Sequence, residues 1–183
     1  MSTVVPELLI KKESKLEPSE TKQMVDALFR EFKLPTDPQT FNDKLFFLYK
    51  SGEEVLAMGG LWEVKPFVVD GREYVIHGVV EVISNVKGNG YGKVVVSAIR
   101  DYMIQNNLNG FGFCMSSVKG FYQKCGFSIA EDISQRFIYR TKEKDITNQN
   151  GQIIFYQDGP DKFMKYVLAN SEKEILIPTD GLW

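Results

Sequence analysis

The chain has 183 residues, is 43% hydrophobic and 25% charged, and sets 22 Lys and Arg against 24 Asp and Glu for a net charge of −2. That length suits one domain, 1–183, with bulk enough to bury about two-thirds of its unfolded surface, and the charge balance argues against nucleic acid as the main partner. No apolar run approaches the ~20 residues of a membrane helix, and Met1-Ser2-Thr3-Val4-Val5-Pro6 lacks the basic and apolar regions of a secretory signal.

Glu7 to Lys12 reads as a short first strand. Pro18-Ser19-Glu20 opens a helix whose stripe of Met24, Leu28, Phe29 and Phe32 is expected to pack in the core. Leu34-Pro35-Thr36-Asp37-Pro38 breaks it, and a short second helix is expected over 38–44. From Leu45 the period changes to that of strands: 45–49, a turn at Ser51-Gly52-Glu53, then 55–69. Asp70-Gly71 is a hairpin turn that returns the chain as 73–84. Gly59-Gly60 inside the middle strand predicts a bulge or a close backbone approach. A helix over 91–106 places Val95, Ala98, Ile99 and Tyr102 on one face. Strand 111–115, helix 118–124, strand 136–140, a polar loop over 141–152 and strand 153–156 follow. Residues 163–168 fit helix or strand equally, and Ile175-Leu176-Ile177 reads as a last strand.

The stretch that organises the chain is Val79 to Lys93. An apolar strand runs into Lys87-Gly88-Asn89-Gly90-Tyr91-Gly92-Lys93, and that turn feeds a helix. Glycine at 88, 90 and 92 lets the backbone take φ > 0 and turn successive amides into one concavity at the positive end of a helix dipole. Such a concavity binds anions, phosphates above all, so 87–93 is expected to grip a pyrophosphate. A P-loop would need four residues between its glycines and a Ser or Thr after the Lys, but Val94 follows Lys93. A dinucleotide fingerprint would need G-x-G-x-x-G and an acid closing the next strand, and Phe111 to Met115 ends without one.

The segment 87–92 instead resembles the [Q/R]-x-x-G-x-[G/A] acetyl-coenzyme A loop of the GNAT N-acetyltransferase superfamily, with Lys at the basic position. About 30 residues on, Phe121-Tyr122-Gln123-Lys124-Cys125-Gly126-Phe127 looks like that family's helix-then-strand signature. The resemblance implies an α+β GNAT fold, one domain with a central mixed, largely antiparallel sheet of about seven strands flanked by helices. It implies acetyl-CoA as co-substrate, no metal, and direct transfer to a primary amine of a small molecule or peptide. Lys87, Gly88, Asn89, Gly90, Tyr91, Gly92 and Lys93 would hold the pyrophosphate. Val82 and its neighbours would lend main-chain groups to the pantetheine arm and acetyl carbonyl, and Tyr122 would protonate the leaving thiolate.

An amine must be neutral to attack a thioester, so the reaction also needs a route for its proton. Glu81 is the one acid in the apolar run 79–83, where an unpaired carboxylate would be costly, and is the candidate base. Strand alternation puts it on the same face as His77, the chain's single histidine and a second candidate, with ~13 Å between them. A salt bridge to a neighbouring strand is the structural alternative for Glu81, and Glu63 is a third option. Cys125 lacks the adjacent His that nucleophilic catalysis requires, and Cys114 reads as core. Both suit thiols of a reducing compartment, and the cytoplasm is the expected location.

Within the superfamily, the long hairpin, Gly151-Gln152-Ile153-Ile154-Phe155 and the tail ending in Trp183 resemble aminoglycoside 2′-N-acetyltransferases. That resemblance implies an acceptor site reached by Trp183, with Asp158 and Asp180 as acids for a cationic amine. The group has Arg-Gly-Gln-Arg-Leu-Val where this chain has 87–92, which separates it from them. A non-catalytic acetyl-CoA sensor is the alternative of another class. A homodimer is compatible with the sequence, which leaves the oligomeric state open.

Overall fold

A computed structural model describes residues 5–33, 35–140, 145–147 and 152–178. Its elements run β1 (Glu7–Lys12), α1 (Pro18–Phe32), β2 (Lys44–Ser51), β3 (Glu54–Val69), β4 (Arg72–Ser84), α2 (Tyr91–Gln105) and β5 (Asn109–Met115). There follow α3 (Lys119–Lys124), β6 (Ser128–Ala130), β7 (Phe137–Arg140), β8 (Asp145–Thr147), β9 (Gln152–Gln157), α4 (Phe163–Ala169) and β10 (Ile175–Ile177). A seven-stranded sheet has the order β1-β2-β3-β4-β5-β9-β6, and a three-stranded sheet the order β10-β7-β8. The β4–β5 pair is parallel, whereas β1–β2, β2–β3, β5–β9 and β6–β9 are antiparallel. This is the α+β architecture expected: a mixed seven-stranded sheet with four helices. No helix among the described residues is long and apolar enough to cross a membrane.

The chain divides into two compact units, Met1–Trp62 with Val79–Ile99, and Glu63–Gly78 with Arg100–Trp183. In the first, α1 packs Met24, Ala27 and Leu28 onto Phe41, Phe46, Leu48, Val55, Met58 and Ile83. Phe29 and Phe32, expected in that stripe, are about half exposed at 54% and 50%, because the last turn of α1 leaves the packed surface. Pro18 occupies the first turn, and Glu17 and Glu20 form a reciprocal capping box. The expected helix over 38–44 is only a 3₁₀ turn, Pro38–Phe41, capped by Asp37, which accepts from Gln39 N–H at 2.9 Å. Asp43 then takes φ +61, and Lys44 is already strand.

The double glycine of β3 answers to close approach. A Cβ at Gly59 would stand 2.8 Å from Ile99 Cδ1 and 3.1 Å from Val95 Cγ1, so α2 seats directly on the strand. The fully buried stripe of α2 is Val95, Val96, Ile99 and Met103, with Ala98 and Tyr102 only half-buried, which rotates the expected face.

The core of the second unit is aromatic. Phe111 lies 6.0 Å from Phe67 and 5.1 Å from Phe137 between ring centroids, and Phe163 lies 5.5 Å from Phe67 and 5.1 Å from Tyr74. Phe163 belongs to α4, which settles 163–168 as helix. Edge-to-face pairs of this kind add about 0.5–1.5 kcal/mol each beyond their area. Strand β8 falls within the expected polar loop, and β6, three residues long, is too short to leave a periodic signal.

Buried Glu20 ties the elements of the first unit together: it accepts from Lys11 Nζ at 2.9 Å, Lys50 Nζ at 2.6 Å and its own cap's Glu17 N–H at 2.9 Å. Burial alone would raise its carboxyl, but the bonds from Lys50, Glu17 and Lys11 outweigh that and lower it from 4.5 to about 2. A depressed carboxyl stabilises the fold above its unfolded pKa. Its contribution is therefore complete above pH 4.5 and lost as pH falls toward 2. Glu20→Gln, which strands buried Lys50, is expected to cost about 3 kcal/mol in urea unfolding at pH 7 and to flatten the acid limb of the stability curve.

Candidate functional site

Strand β4 takes a left-handed residue at Glu81, which has φ +55 three residues before the strand ends at Ser84. The side chains around it record the consequence. A Cβ at Gly60 would meet Val80 Cγ2 at 3.0 Å and Phe46 Cε1 at 3.2 Å, whereas one at Gly59 would meet Val82 Cγ2 at 3.4 Å together with α2. Gly59 and Gly60 are adjacent in β3 and face opposite ways, so Val80 and Val82, two apart, lie on opposite faces. Glu81, between them at φ +55, is where the strand kinks, in the manner of a β-bulge. The left-handed region costs a non-glycine residue about 1–2 kcal/mol, and such kinks cluster where strands re-aim a side chain beside active sites. The alternation that would have put His77 and Glu81 on one face does not survive it.

The bulge delivers Glu81 to Lys44, the first residue of β2. Lys44 Nζ donates to Glu81 Oε1 at 2.6 Å, with the side chains 9% and 12% exposed. Glu81 Oε2 is buried with no hydrogen-bond partner. Burial raises the Glu81 carboxyl above 4.5 and Lys44 pulls it back, with burial the larger effect. The ion pair expected as the structural alternative therefore exists. It also leaves one carboxylate oxygen uncommitted.

Past the bulge, Ser84 Oγ donates to Val86 C=O at 2.8 Å, and Asn85 pins the chain to β3 through its N–H on Leu56 C=O at 2.8 Å and its Nδ2 on Val55 C=O at 2.5 Å. The last turn of α1 grips the same loop: Arg30 donates to Asn85 Oδ1 at 2.5 Å, and Lys87 Nζ lies 3.0 Å from Glu31 Oε1. Residues 87–90 are exposed, and Gly88 and Gly90 take φ +84 and +76. A Cβ at either would meet no atom within 4 Å, so the chain itself leaves the concave side open. The helix begins at Tyr91, and Lys93 N–H to Gly90 C=O at 3.0 Å is the first bond of its opening turn, ahead of which the amides of Tyr91 and Gly92 have no intrahelical acceptor. Gly92 is thus the second helical residue and not a turn glycine.

The second unit holds the remaining candidates. Tyr122 is buried in α3 and stacks on Phe155 of β9 at 3.7 Å between centroids and 11° between planes. Burial, then Cys114 and Cys125, push its phenol well up, so it stays a proton holder. Burial also raises the Cys114 thiol to about 11, which disqualifies it as a nucleophile at neutral pH. His77 Nε2 lies 3.6 Å from Glu63 Oε2, and burial lowers the ring's pKa against the pull of Glu63 and the Asn109 main chain. Asp158, expected to serve the acceptor, caps the start of α4. Its two carboxylate oxygens accept from Met164 N–H at 2.8 Å and Lys165 N–H at 3.0 Å in α4. Asp180 and Trp183 lie outside the described residues. Among the described residues no group of three or more His, Cys, Asp or Glu is placed to hold a metal ion.

Sequence reasoning missed Lys44, Asn85 and Arg30. Lys44 carried a signal, a lysine opening the apolar run 45–49, whereas Asn85 and Arg30 acquire their roles from tertiary contacts alone.

A kinked strand that leads through an exposed glycine turn into a helix is the arrangement the family resemblance implies, and the family match defines the class: an acyltransferase. The chain belongs to the Acetyltransferase (GNAT) family, whose model matches residues 10–127. Solved structures share the fold. An acyl-CoA N-acyltransferase from Pseudomonas aeruginosa is 13% identical with a TM-score of 0.59, over 84% of this chain and 99% of that one. ElaA of Escherichia coli is 14% identical with a TM-score of 0.59, over 84% and 100%. The E. coli GNAT family N-acetyltransferase YhbS, in complex with CoA, is 12% identical with a TM-score of 0.56, over 85% and 83%. Comparison with curated protein sequences finds no match.

Because Gly59 is the seat of α2, Gly59→Ala is expected to crowd Ile99 and Val95 and cost about 1–3 kcal/mol, measured by thermal and urea unfolding.

Proposed function

We propose that this protein is an acetyl-CoA-dependent N-acetyltransferase that moves the acetyl group directly to a primary amine of a small molecule or peptide. The observation that carries the reading is the open turn at Gly88 and Gly90, exposed at the start of α2 and fed by the bulge at Glu81. A family match running through both compact units supports reading 1–183 as one catalytic domain. Buried thiols at Cys114 and Cys125 suit a reducing cytoplasm.

In this reading the amides of 88–92, with Lys87 and Lys93, hold the diphosphate, since glycine's missing Cβ lets oxygen atoms reach the peptide nitrogens. The main chain around Val82 aligns the pantetheine arm. Acetyl-CoA, when bound, supplies a thioester whose carbonyl carbon accepts the amine. Glu81 Oε2 accepts the ammonium proton directly or through one water, because only the neutral amine is a nucleophile. Tyr122 Oη holds the proton that the departing sulfur needs, and its raised pKa keeps that proton in place at neutral pH. His77 stands in reserve as a second proton route, weakened by its lowered pKa. The narrower aminoglycoside reading rests on the tail with Asp180 and Trp183 and enters as one class in the acceptor panel.

A thiol-release assay with acetyl-CoA against polyamines, aminoglycosides and peptide N-termini tests the proposal. Release above background with one class is expected, and tight acetyl-CoA binding without release across the panel would point to a sensor instead. Gly90→Val is expected to abolish CoA binding in calorimetry by placing a branched side chain in the concavity. Tyr122→Phe is expected to slow transfer about 10²-fold or more while leaving CoA affinity within about twofold; unchanged turnover would remove Tyr122 from the mechanism.

A further inference from the structure

We infer that Lys44 is the positioning residue of the reaction: by gripping Glu81 Oε1 it turns Oε2 toward the amine and keeps the carboxylate ready to accept a proton. The inference rests on the reading of Glu81 as base and adds the group that makes Glu81 competent.

Four observations carry it. Lysine is rarely buried, yet the Lys44 side chain is only 9% exposed, and its ammonium sits 5.8 Å from the centroid of the Trp62 ring. Its place is built, not accidental, because Asp43 at φ +61 swings the chain into β2 and the ladder pairs Lys44 with Trp62. Its partner is reached only because Glu81 adopts a strained backbone that kinks the strand. The pair is also incomplete as a structural device. An ion pair kept only for stability must satisfy its remaining lone pairs to offset desolvation, and Glu81 Oε2 is buried without a partner. Glu20 of the same unit shows the finished version, with both oxygens bonded to Lys11 or Lys50.

Among the described residues, few charges face Glu81. From β2 the neighbour is Lys44, from β3 the uncharged Trp62 ring lies against that ammonium, and the flanking residues in β4 are Val80 and Val82. Burial in such apolar company drives a carboxylate toward its protonated form, in which it cannot act as a base. Lys44 opposes that tendency, as the fall in proton affinity it causes indicates. It also fixes the carboxylate's rotation, so that one oxygen is engaged by the lysine and the other is left without a partner.

The experiment compares Lys44→Met, Lys44→Arg, Glu81→Gln and the double variant Lys44→Met/Glu81→Gln with the native chain. Two readouts are used: the pH profile of thiol release from acetyl-CoA, with the best amine of the panel or with water alone as acceptor, and a carbon NMR titration of the Glu81 carboxyl assigned by its loss in Glu81→Gln. Lys44→Met should move both the ascending limb and the titration up by about one unit or more. That is about a tenfold or greater loss of rate below the limb, with the CoA affinity unchanged. Lys44→Arg should restore most of the limb's position. The double variant replaces both charges by neutral groups, so it should fold even if Lys44→Met does not, and it should be no slower than Glu81→Gln alone. A Lys44→Met titration that does not move, or a limb that stays while the titration moves, overturns the role of Lys44. Unchanged rate and profile in Glu81→Gln would instead overturn the reading of Glu81 as base.

Discussion

One backbone angle governs much of what this chain can do. At Glu81 a strand that should alternate its side chains admits a left-handed residue and kinks. A regular β4 would carry the Glu81 carboxylate to the side opposite Lys44 and Phe46. It would then carry Val82 away from α2. The kink is unfavourable in isolation, and the surrounding packing must supply the difference. Gly59 and Gly60 show where: by presenting no side chains they let α2 close on one face of β3 and Val80 fill the other. Two residues with nothing beyond the backbone thus make room for the distortion next door.

The loop beyond the kink obeys a related constraint. Its walls are main chain, its glycines face open space, and its order comes from outside: Asn85 reaching to β3, and the end of α1 holding Asn85 and Lys87. On the proposed reading, a segment that offers its own amides to a ligand cannot use them for self-support. Its rigidity therefore has to come from its neighbours.

Much of this was legible in the sequence, for physical reasons that differ by element. The hairpins announced themselves through period-two alternation and the turn at Asp70-Gly71, and the glycine loop through residues whose only virtue is a freely chosen φ. The pair of glycines at 59 and 60 was readable as a bulge or a close backbone approach, and what comes close is chiefly side chains, of α2 and Val82 on one face and of Val80 and Phe46 on the other. Phe29 and Phe32 misled because helical spacing identifies a face but not how far along the helix that face remains covered. Val96 and Met103 were missed for the related reason that a stripe is judged by its apolar members, and α2 has apolar residues on several sides. The pairing of Lys44 with Glu81 had no local signature at all: 37 positions separate them, and only the bulge makes them neighbours. Asp158 read as an acid near the tail for a cationic amine, and its hold on the first amides of α4 had no signature in the sequence.

The exposed last turn of α1 gives the first unit a property that neither helix nor loop has alone. Helix ends fray readily, and this one holds the glycine turn at two points through Arg30 and Glu31. Each excursion of the terminus withdraws two of the loop's outside contacts and leaves Asn85's bonds to β3 to hold it. Linkage works in both directions. On the proposed reading, an anion resting among the amides would steady a helix terminus that it never touches, and the helix tip would gauge whether the loop is filled.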